Sequence, residues 1–286
     1  MHMFCFQCQE TSSGRGCTFG GHCGKSEETA NFQDLLIFVL KGIGAIAERL
    51  TQIGIPPSRE LGELLYESLF MTITNTNFDT DRFVSAVERA LRVKRLLFQL
   101  LDDKGSTQGL PEHARWDETD SSRFVAKAYR AGVLLTENID ARSLRETVTY
   151  SLKGISAYGH HAAALGAYDP ELTRYLVRAL SMIATETDVD RLFDLALESG
   201  KFNLLAMRQL DAVHSATYGV PEPRQVSIGV RNRPAILVSG HDLVDLLELL
   251  EQTQNTGIDV YTNGEMIAAH YYPRLFAYEH LIANYG

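Results

Sequence analysis

All four cysteines of this 286-residue chain lie near its N-terminus, at Cys5, Cys8, Cys17 and Cys23, and no cysteine follows them. A disulfide framework distributes its cysteines through a small secreted chain, whereas these four are crowded at one end of a long one. Four thiolates so close in sequence provide the complete ligand set of a zinc ion or of a cubane iron–sulfur cluster. The distribution therefore predicts a metal centre around which the first residues wrap.

The spacing C-x2-C-x8-C-x5-C favours the iron–sulfur cluster, with zinc and four unrelated reduced cysteines as the alternatives. Structural zinc sites usually contain two C-x2-C pairs on separate knuckles, and here Cys5 and Cys8 form the one close pair. Glycines surround the other two cysteines, and they allow backbone N–H groups to approach cluster sulfurs closely. These glycines are Gly14, Gly16, Gly20, Gly21 and Gly24.

The composition is that of an ordinary globular protein, and it limits the kinds of partner that the chain is expected to bind. A formal net charge of −9 argues against a general nucleic-acid binder, which needs a basic face to neutralise phosphates. No apolar run reaches the roughly 20 residues of a membrane span, and the N-terminus lacks the basic and apolar regions of a secretory signal. We therefore expect neither nucleic acid nor membrane as a partner, and a cytoplasmic location, where thiols stay reduced.

A helical pattern begins where the Gly- and Cys-rich loop of residues 1–30 ends. The sequence predicts a long buried helix from an N-cap at Asn31 to Gly54, because the apolar stretch is long and is followed by glycine and prolines. Further helices are expected over residues 61–74 and 80–102. These elements form the first of two predicted helical bundles.

The second bundle is expected to follow a polar linker at residues 103–120. The two bundles, 31–102 and 121–216, share a weak internal repeat, because the tetrapeptide Leu-Lys-Gly-Ile occurs at residues 40–43 and again at 152–155. Duplication and convergent helical patterning both explain it. The bundle region of residues 31–216 is therefore predicted to be all-helical, with a repeat as one of the two explanations of the shared tetrapeptide.

The last region, residues 217–286, changes from a helical to a strand pattern. Short β-branched runs at 226–230, 235–239 and 258–262 predict strands, and an amphipathic stretch over 242–254 predicts a helix. Strand–helix–strand in so few residues is a βαβ unit, which implies a parallel sheet. The predicted fold class is thus an α-helical N-terminal region followed by the start of an incomplete α/β, Rossmann-like domain.

Three N-terminal motifs make a resemblance specific. They are Met3-Phe-Cys-Phe-Gln-Cys-Gln-Glu-Thr, His22-Cys-Gly-Lys and Asn31-Phe-Gln-Asp-Leu-Leu. Together they closely resemble the start of the hybrid cluster proteins, also called prismane proteins or hydroxylamine reductases. The resemblance implies that Cys5, Cys8, Cys17 and Cys23 bind a [4Fe–4S] cubane.

The resemblance extends over the whole chain and implies a second site. Ser239-Gly-His-Asp-Leu and Gly264-Glu-Met resemble the stretches that carry two ligands of the family's hybrid iron–sulfur–oxygen cluster, which correspond here to His241 and Glu265. Both residues follow predicted parallel strands, and α/β sheets place their sites at such carboxyl ends. Read without the resemblance, His241 is equally a helix N-cap neighbour and Glu265 a solvated turn residue.

One departure from the family pattern is Asn263, where relatives often have a histidine before Gly-Glu-Met. Its presence puts in doubt any proton-transfer role for that position. His270 is a weaker candidate for lining a substrate path, while His160 and His161 are expected to be packed or solvated on a helix of the second bundle.

Two functions remain open from the sequence. The resemblance implies an oxidoreductase that reduces hydroxylamine to ammonia, or nitric oxide to nitrous oxide, in nitrosative-stress defence. The family's sequence continues beyond the equivalent of Gly286, so the remaining hybrid-cluster ligands are expected from a C-terminal half, on the same or a separate chain. The implied electron donor is a flavin/iron–sulfur reductase or a ferredoxin. The alternative is a stand-alone [4Fe–4S] electron carrier or binding module that lacks the hybrid cluster.

Overall fold

The computed structural model describes residues 3–11, 14–74, 76–226 and 229–285. The chain divides into two compact units. The first comprises Met1–His160 with Tyr168–Met207, and the second comprises His161–Ala167 with Arg208–Gly286. The predicted division into residues 1–30, 31–216 and 217–286 is a different partition of the chain and stays a prediction.

The N-terminal part of the chain is helical, as predicted. Its helices are α1 (Glu27–Gln52), α2 (Arg59–Phe70), α3 (Thr80–Asp102), α4 (Glu112–Arg115), α5 (Phe124–Ala128), α6 (Ile139–Ala164), α7 (Pro170–Thr185) and α8 (Val189–Tyr218). The predicted bounds of α3 are exact. The predicted polar linker contains the short helix α4, and the second helical region begins with short pieces before α6.

Helix α1 begins earlier than the sequence predicted. Ser26 is its N-cap and accepts a hydrogen bond from the Thr29 N–H at 3.0 Å, while Asn31 lies inside the helix and is buried. The prediction of an Asn31 cap was therefore wrong. Ser26 is favoured because the acidic Glu27 and Glu28 follow it in the first turn, where they interact favourably with the helix dipole.

Helix α1 is the central core element of the first unit. It packs against α3 and α7, and its buried face includes Leu35, Leu36 and Ile43. Within the described ranges of the chain, α1 is the one helix that is long and apolar enough to cross a membrane, but 89% of its most apolar stretch is buried inside the protein. Burial in the core accounts for the apolar character of α1.

The repeated tetrapeptide occupies equivalent places in two helices of equal length. Helices α1 and α6 each contain 26 residues, and Leu40 and Leu152 each lie 13 residues after the first residue of their helix. The buried leucines pack into one hydrophobic core. This equivalence agrees with a repeat, and the duplication itself stays a prediction.

The second unit contains a small parallel sheet, which confirms the predicted α/β character. Its strands are β1 (Ala235–Ser239), β2 (Asp259–Asn263) and β3 (Leu281–Tyr285), in the order β1-β2-β3. Helix α9 (Leu243–Thr253) connects β1 to β2, and α10 (Pro273–Phe276) precedes β3. The sequence did not predict β3.

The predicted strand at residues 226–230 is not supported. Residues 227 and 228 lie outside the described part of the chain, and Val226, Gly229 and Val230 have no strand structure. The second unit is stabilised by a hydrophobic cluster that packs beneath the sheet. Its buried members are Tyr218, Leu243, Leu246, Leu250, Val260, Met266, Ala269, Tyr272, Leu275 and Leu281. This cluster fixes α9, β2 and the segment after β2 relative to one another.

Candidate metal centres

Two of the four cysteines face each other across an isolated antiparallel β-bridge. The Cys5 N–H donates to the Cys17 carbonyl at 3.0 Å, and the Cys17 N–H donates to the Cys5 carbonyl at 2.8 Å. Cys17 is 4% exposed and packs with Met3 and Ala30, whereas Cys5 is partly exposed. The bridge therefore fixes the backbone positions of two candidate ligands that are not neighbours in the order of the four cysteines.

A glycine is required beside this bridge. Gly16 has φ +112°, and a Cβ at this position would lie 2.6 Å from Cε2 of Phe4. An L side chain would therefore be strained by its backbone conformation and would also collide with the Phe4 ring. The glycine next to Cys17 is explained by this close approach.

Cys23 lies in a tight turn directly before α1. The Gly21 N–H donates to the Lys25 carbonyl and the Gly24 N–H donates to the Gly21 carbonyl, both at 2.9 Å. A Cβ at Gly21 would lie 3.0 Å from the Cys23 sulfur. The turn therefore brings backbone close to this thiol, which is exposed.

The segment around Cys8 is attached to helix α6. The Tyr150 hydroxyl donates to the Gln7 carbonyl, and the Gln7 side chain accepts a bond from the Thr74 hydroxyl at 3.4 Å. Burial, followed by the charges of Cys8 and Cys5, raises the pKa of Tyr150 above its usual value. Tyr150 therefore stays a neutral donor beside the cysteine loop at physiological pH.

The second candidate centre joins two strand ends. β1 and β2 are parallel, and Ser239 pairs in register with Asn263. His241 and Glu265 each lie two residues beyond these partners, and the His241 Nε2 atom contacts the Glu265 Oε2 atom. Their side chains are 58% and 74% exposed. The sheet thus brings together the two predicted ligands at its carboxyl edge.

Turn and cap geometry explain why His241 points along this edge. Gly240 leaves the strand with φ +134°, a conformation that favours glycine. Asp242 then caps α9, because its carboxylate accepts bonds from the N–H groups of Val244 at 2.7 Å and Asp245 at 3.2 Å. His241 is therefore held between a strand end and a fixed helix start.

Sequence reasoning missed a histidine in this unit. His161 was expected to be packed or solvated without a specific partner, yet its Nδ1 atom lies 3.6 Å from an Asp242 carboxylate oxygen. The interaction with His161, together with the two backbone N–H bonds, lowers the pKa of Asp242 to about 2. No spacing signal links residues 161 and 242, which are brought together by tertiary structure.

Asn263 and His270 have structural contacts near the sheet edge. The Asn263 amide donates to the Tyr285 carbonyl at the end of β3. His270 is 4% exposed, its Nε2 atom lies 2.9 Å from the Thr262 hydroxyl, and burial lowers its pKa. The ring of His160, in the first unit, lies 5.3 Å from that of Phe70. Asn263, His270 and His160 therefore pack against neighbouring residues of their own units.

Comparison with known proteins decides the family. The sequence profile of the Prismane/CO dehydrogenase family matches residues 3–286. The chain belongs to this family. Membership confirms the predicted resemblance to the hybrid cluster, or prismane, proteins.

Curated relatives are similar over nearly the whole of this chain. The hydroxylamine reductase of Bacteroides thetaiotaomicron is 47% identical over 100% of this chain and 52% of its own length. That of Nitratidesulfovibrio vulgaris is 45% identical over 99% of this chain and 52% of its own length. That of Clostridium perfringens is 46% identical over 100% of this chain and 53% of its own length. The chain therefore spans about half the length of the curated relatives it matches.

The donor chemistry of the cysteine loop fits the iron–sulfur cluster that the family implies. All four cysteines are free thiols on one short segment, and two are fixed by the β-bridge. Among the described residues, however, no group of three or more His, Cys, Asp or Glu side chains is arranged to hold a metal ion. The loop thus contains the four donors without gathering them around one point.

The sheet-edge pair fits a different role. An imidazole and a carboxylate suit an iron that also carries oxygen, and His241 and Glu265 already touch. Two donors are too few for a multi-iron cluster. The pair therefore fits as part of a larger ligand set.

Proposed function

We propose that this chain is the N-terminal portion of an iron–sulfur oxidoreductase of the hydroxylamine reductase type. The observation that carries the proposal is the contact between His241 and Glu265 at equivalent ends of adjacent strands. The resemblance marked these two residues as ligands, and the sheet brings them together independently of that assignment. Membership in the family supports the same interpretation.

The cysteine loop is the proposed entry point for electrons. Cys5, Cys8, Cys17 and Cys23 would bind a [4Fe–4S] cluster, which supplies one-electron transfer when bound. The Cys5–Cys17 bridge would set two ligand positions, and Tyr150 would hold the segment between them through Gln7. The proposed donor is a flavin/iron–sulfur reductase or a ferredoxin, and the proposed location is the cytoplasm.

His241 and Glu265 are the proposed iron ligands at the substrate site. The hybrid cluster supplies an iron position at which a small nitrogen compound is reduced. For hydroxylamine the balance is NH₂OH with two electrons and two protons, giving NH₃ and H₂O, and reduction of nitric oxide to nitrous oxide is the alternative. The remaining ligands are proposed to come from a C-terminal half, on the same or a separate polypeptide.

One observation favours a second candidate function. The four-thiol set is complete within this chain, whereas the sheet edge contributes two donors. A chain that binds only the cubane would act as a one-electron carrier or binding module, and it would hold about four iron atoms. His241 and Glu265 would then have no metal to bind.

The test uses the chain prepared anaerobically, alone and together with the C-terminal half of a relative. We expect about four iron atoms per chain alone and about eight with the partner half. Ammonia formation from hydroxylamine, with a reduced viologen dye as donor, is expected in the second preparation. Eight iron atoms without ammonia would contradict the proposed activity, and full activity of the chain alone would contradict the proposed need for a second half.

A further inference from the structure

A cluster of charged side chains, one buried and three half-buried, lies between helices α1 and α6 in the first unit. Asp34 and Lys41 belong to α1, and Glu146 and Lys153 belong to α6. Lys153 is 5% exposed and donates to the Thr72 carbonyl at 3.3 Å. Among the described residues, no direct ion pair joins Asp34, Lys41 or Glu146 to an opposite charge. The charges of Asp34, Lys41 and Glu146 are therefore not neutralised by direct ion pairs.

Two cavities meet at this cluster. The larger has a volume of about 230 Å³ and is lined by Asp34, Lys41 and Glu146. The smaller, of about 20 Å³, is lined by Asp34, Glu146, Lys153 and Cys5. Asp34 and Glu146, together with Ile37 and Val133, line both cavities. They separate a polar, partly open space from the immediate surroundings of a candidate cluster ligand.

This environment brings the pKa of the Asp34 carboxyl close to neutral pH. Burial, and after it the charge of Glu146, raises the pKa of Asp34 to about 7, against the opposing influence of Lys153, Lys41 and Lys25. Burial also lowers the pKa of Lys153 to about 8 and lowers that of Lys41. The other charged or titratable groups that line the larger cavity are Glu112, His113, Arg130 and Arg145.

We propose that Asp34 is a proton-accepting site linked to the oxidation state of the cluster bound through Cys5. This inference rests on the proposed function, since it needs a cluster in the cysteine loop. For each electron that the bound cluster would gain from the external donor, Asp34 would take one proton from solvent through the larger cavity. The carboxylate becomes a carboxylic acid, so the added negative charge is compensated within the first unit.

The direction of the coupling follows from electrostatics. An added negative charge near Cys5 acts on Asp34 in the same sense as Glu146, because both disfavour the ionised carboxylate. The affinity of Asp34 for a proton therefore rises on reduction. By reciprocity, protonation of Asp34 raises the reduction potential of the cluster.

The test is a redox titration of the anaerobic chain, monitored by electron paramagnetic resonance of the reduced cluster, from about pH 5.5 to about pH 9. We expect the wild-type potential to be flat at low pH and then to fall by up to about 59 mV per pH unit. Asp34→Asn, which mimics the protonated side chain in shape, is expected to give a flat potential near the low-pH value. Asp34→Glu should restore the slope.

Two further variants separate proton coupling from a structural effect. Glu146→Gln removes a charge that raises the pKa of Asp34, so the slope should persist but begin at lower pH. Asp117→Asn is the matched control, because Asp117 pairs with Arg95 outside the cluster, and it should retain the wild-type profile. A wild-type potential independent of pH, or an unchanged slope in Asp34→Asn, would overturn the inference alone. Absence of any reduced-cluster signal would overturn the proposed function as well.

Discussion

The two candidate centres differ in how the chain builds them. The cysteine loop carries four donors within one short segment, yet they are not gathered around a point. The sheet edge carries two donors from separate strands, and these are in contact. One centre is therefore complete in composition but loosely arranged, and the other is well arranged but incomplete in composition.

This difference follows from the two scaffolds. The loop has one β-bridge, Cys5 with Cys17, and tight glycine turns, so bound metal has to finish its organisation. The sheet edge is fixed by parallel pairing, by the Asp242 cap and by a buried cluster beneath it. We therefore expect changes in the loop to affect cluster assembly, and changes at the sheet edge to affect function with assembly of the cubane intact.

The largest expected effect is loss of a thiol from the loop. In Cys17→Ser a buried ligand becomes a hydroxyl, so cubane content should fall by more than the roughly 10- to 100-fold that outer-shell changes cost. Iron content and visible absorbance of the anaerobic protein measure it. Thr18→Ser is the neighbouring control and should retain the cluster. Normal iron content in Cys17→Ser would remove Cys17 from the ligand set.

Next in size is loss of a donor at the sheet edge. In the complex with a C-terminal half, Glu265→Gln removes one of several ligands, so it should reduce iron at the second site by at least the roughly 10-fold that outer-shell changes cost and leave the cubane signal unchanged. The measurement is iron content together with electron paramagnetic resonance of both clusters. Glu248→Gln, a charge-matched change on α9, is the control. Parallel loss of both clusters would show that the two centres are not independent.

An intermediate effect is expected from the glycine beside the bridge. Gly16→Ala should slow cluster incorporation, because φ +112° and the Phe4 ring together impose strain of about 1–3 kcal/mol. Gly20→Ala is the matched control, because a Cβ there has no neighbour within 4 Å. Incorporation rates are compared by absorbance during anaerobic reconstitution. Equal rates in the two variants would mean that the bridge does not organise the loop.

The smallest effect concerns the cap beside His241. The lowered pKa of Asp242 means that its stabilising contribution is present above about pH 3.8 and is lost as the pH falls towards 2. Asp242→Asn should therefore destabilise the chain at neutral pH by about 1 kcal/mol or less, since the group is partly exposed, and the difference from wild type should shrink in acid.

The control for this change is Asp79→Asn in α3. Asp79 caps its helix through two similar backbone contacts, at 2.9 and 3.3 Å. Urea unfolding of both variants across this pH range provides the measurement. A difference at Asp242 that varies with pH no more than the difference at Asp79 would show that the His161 contact contributes nothing beyond the cap.

Much of the fold was readable because its signals are local. Helix α3 and strand β1 have their predicted bounds, because the apolar pattern and the residues that end each element are all close together in the sequence. The start of α1 was predicted too late because the apolar pattern begins near Asn31, whereas the helix begins with a polar turn that Ser26 caps. Strand β3 was missed because its short apolar run lacks a clear alternating pattern.

The candidate site residues show the same contrast between local sequence signals and tertiary contacts. The cysteine ligands could be proposed from spacing, whereas His241 and Glu265 became specific only through family resemblance. The contacts of His161 with Asp242, and the meeting of Asp34 and Glu146 beside Cys5, depend on tertiary structure. No pattern in a single sequence encodes which distant side chains will share a cavity.

The central claim is that the loop forms a complete iron–sulfur site within this chain. Mössbauer spectroscopy of the chain, prepared anaerobically with ⁵⁷Fe and combined with zinc analysis, tests it most directly. We predict about four iron atoms per chain in one spectroscopic class typical of a [4Fe–4S] cluster, with no bound zinc. Stoichiometric zinc without iron would contradict the account.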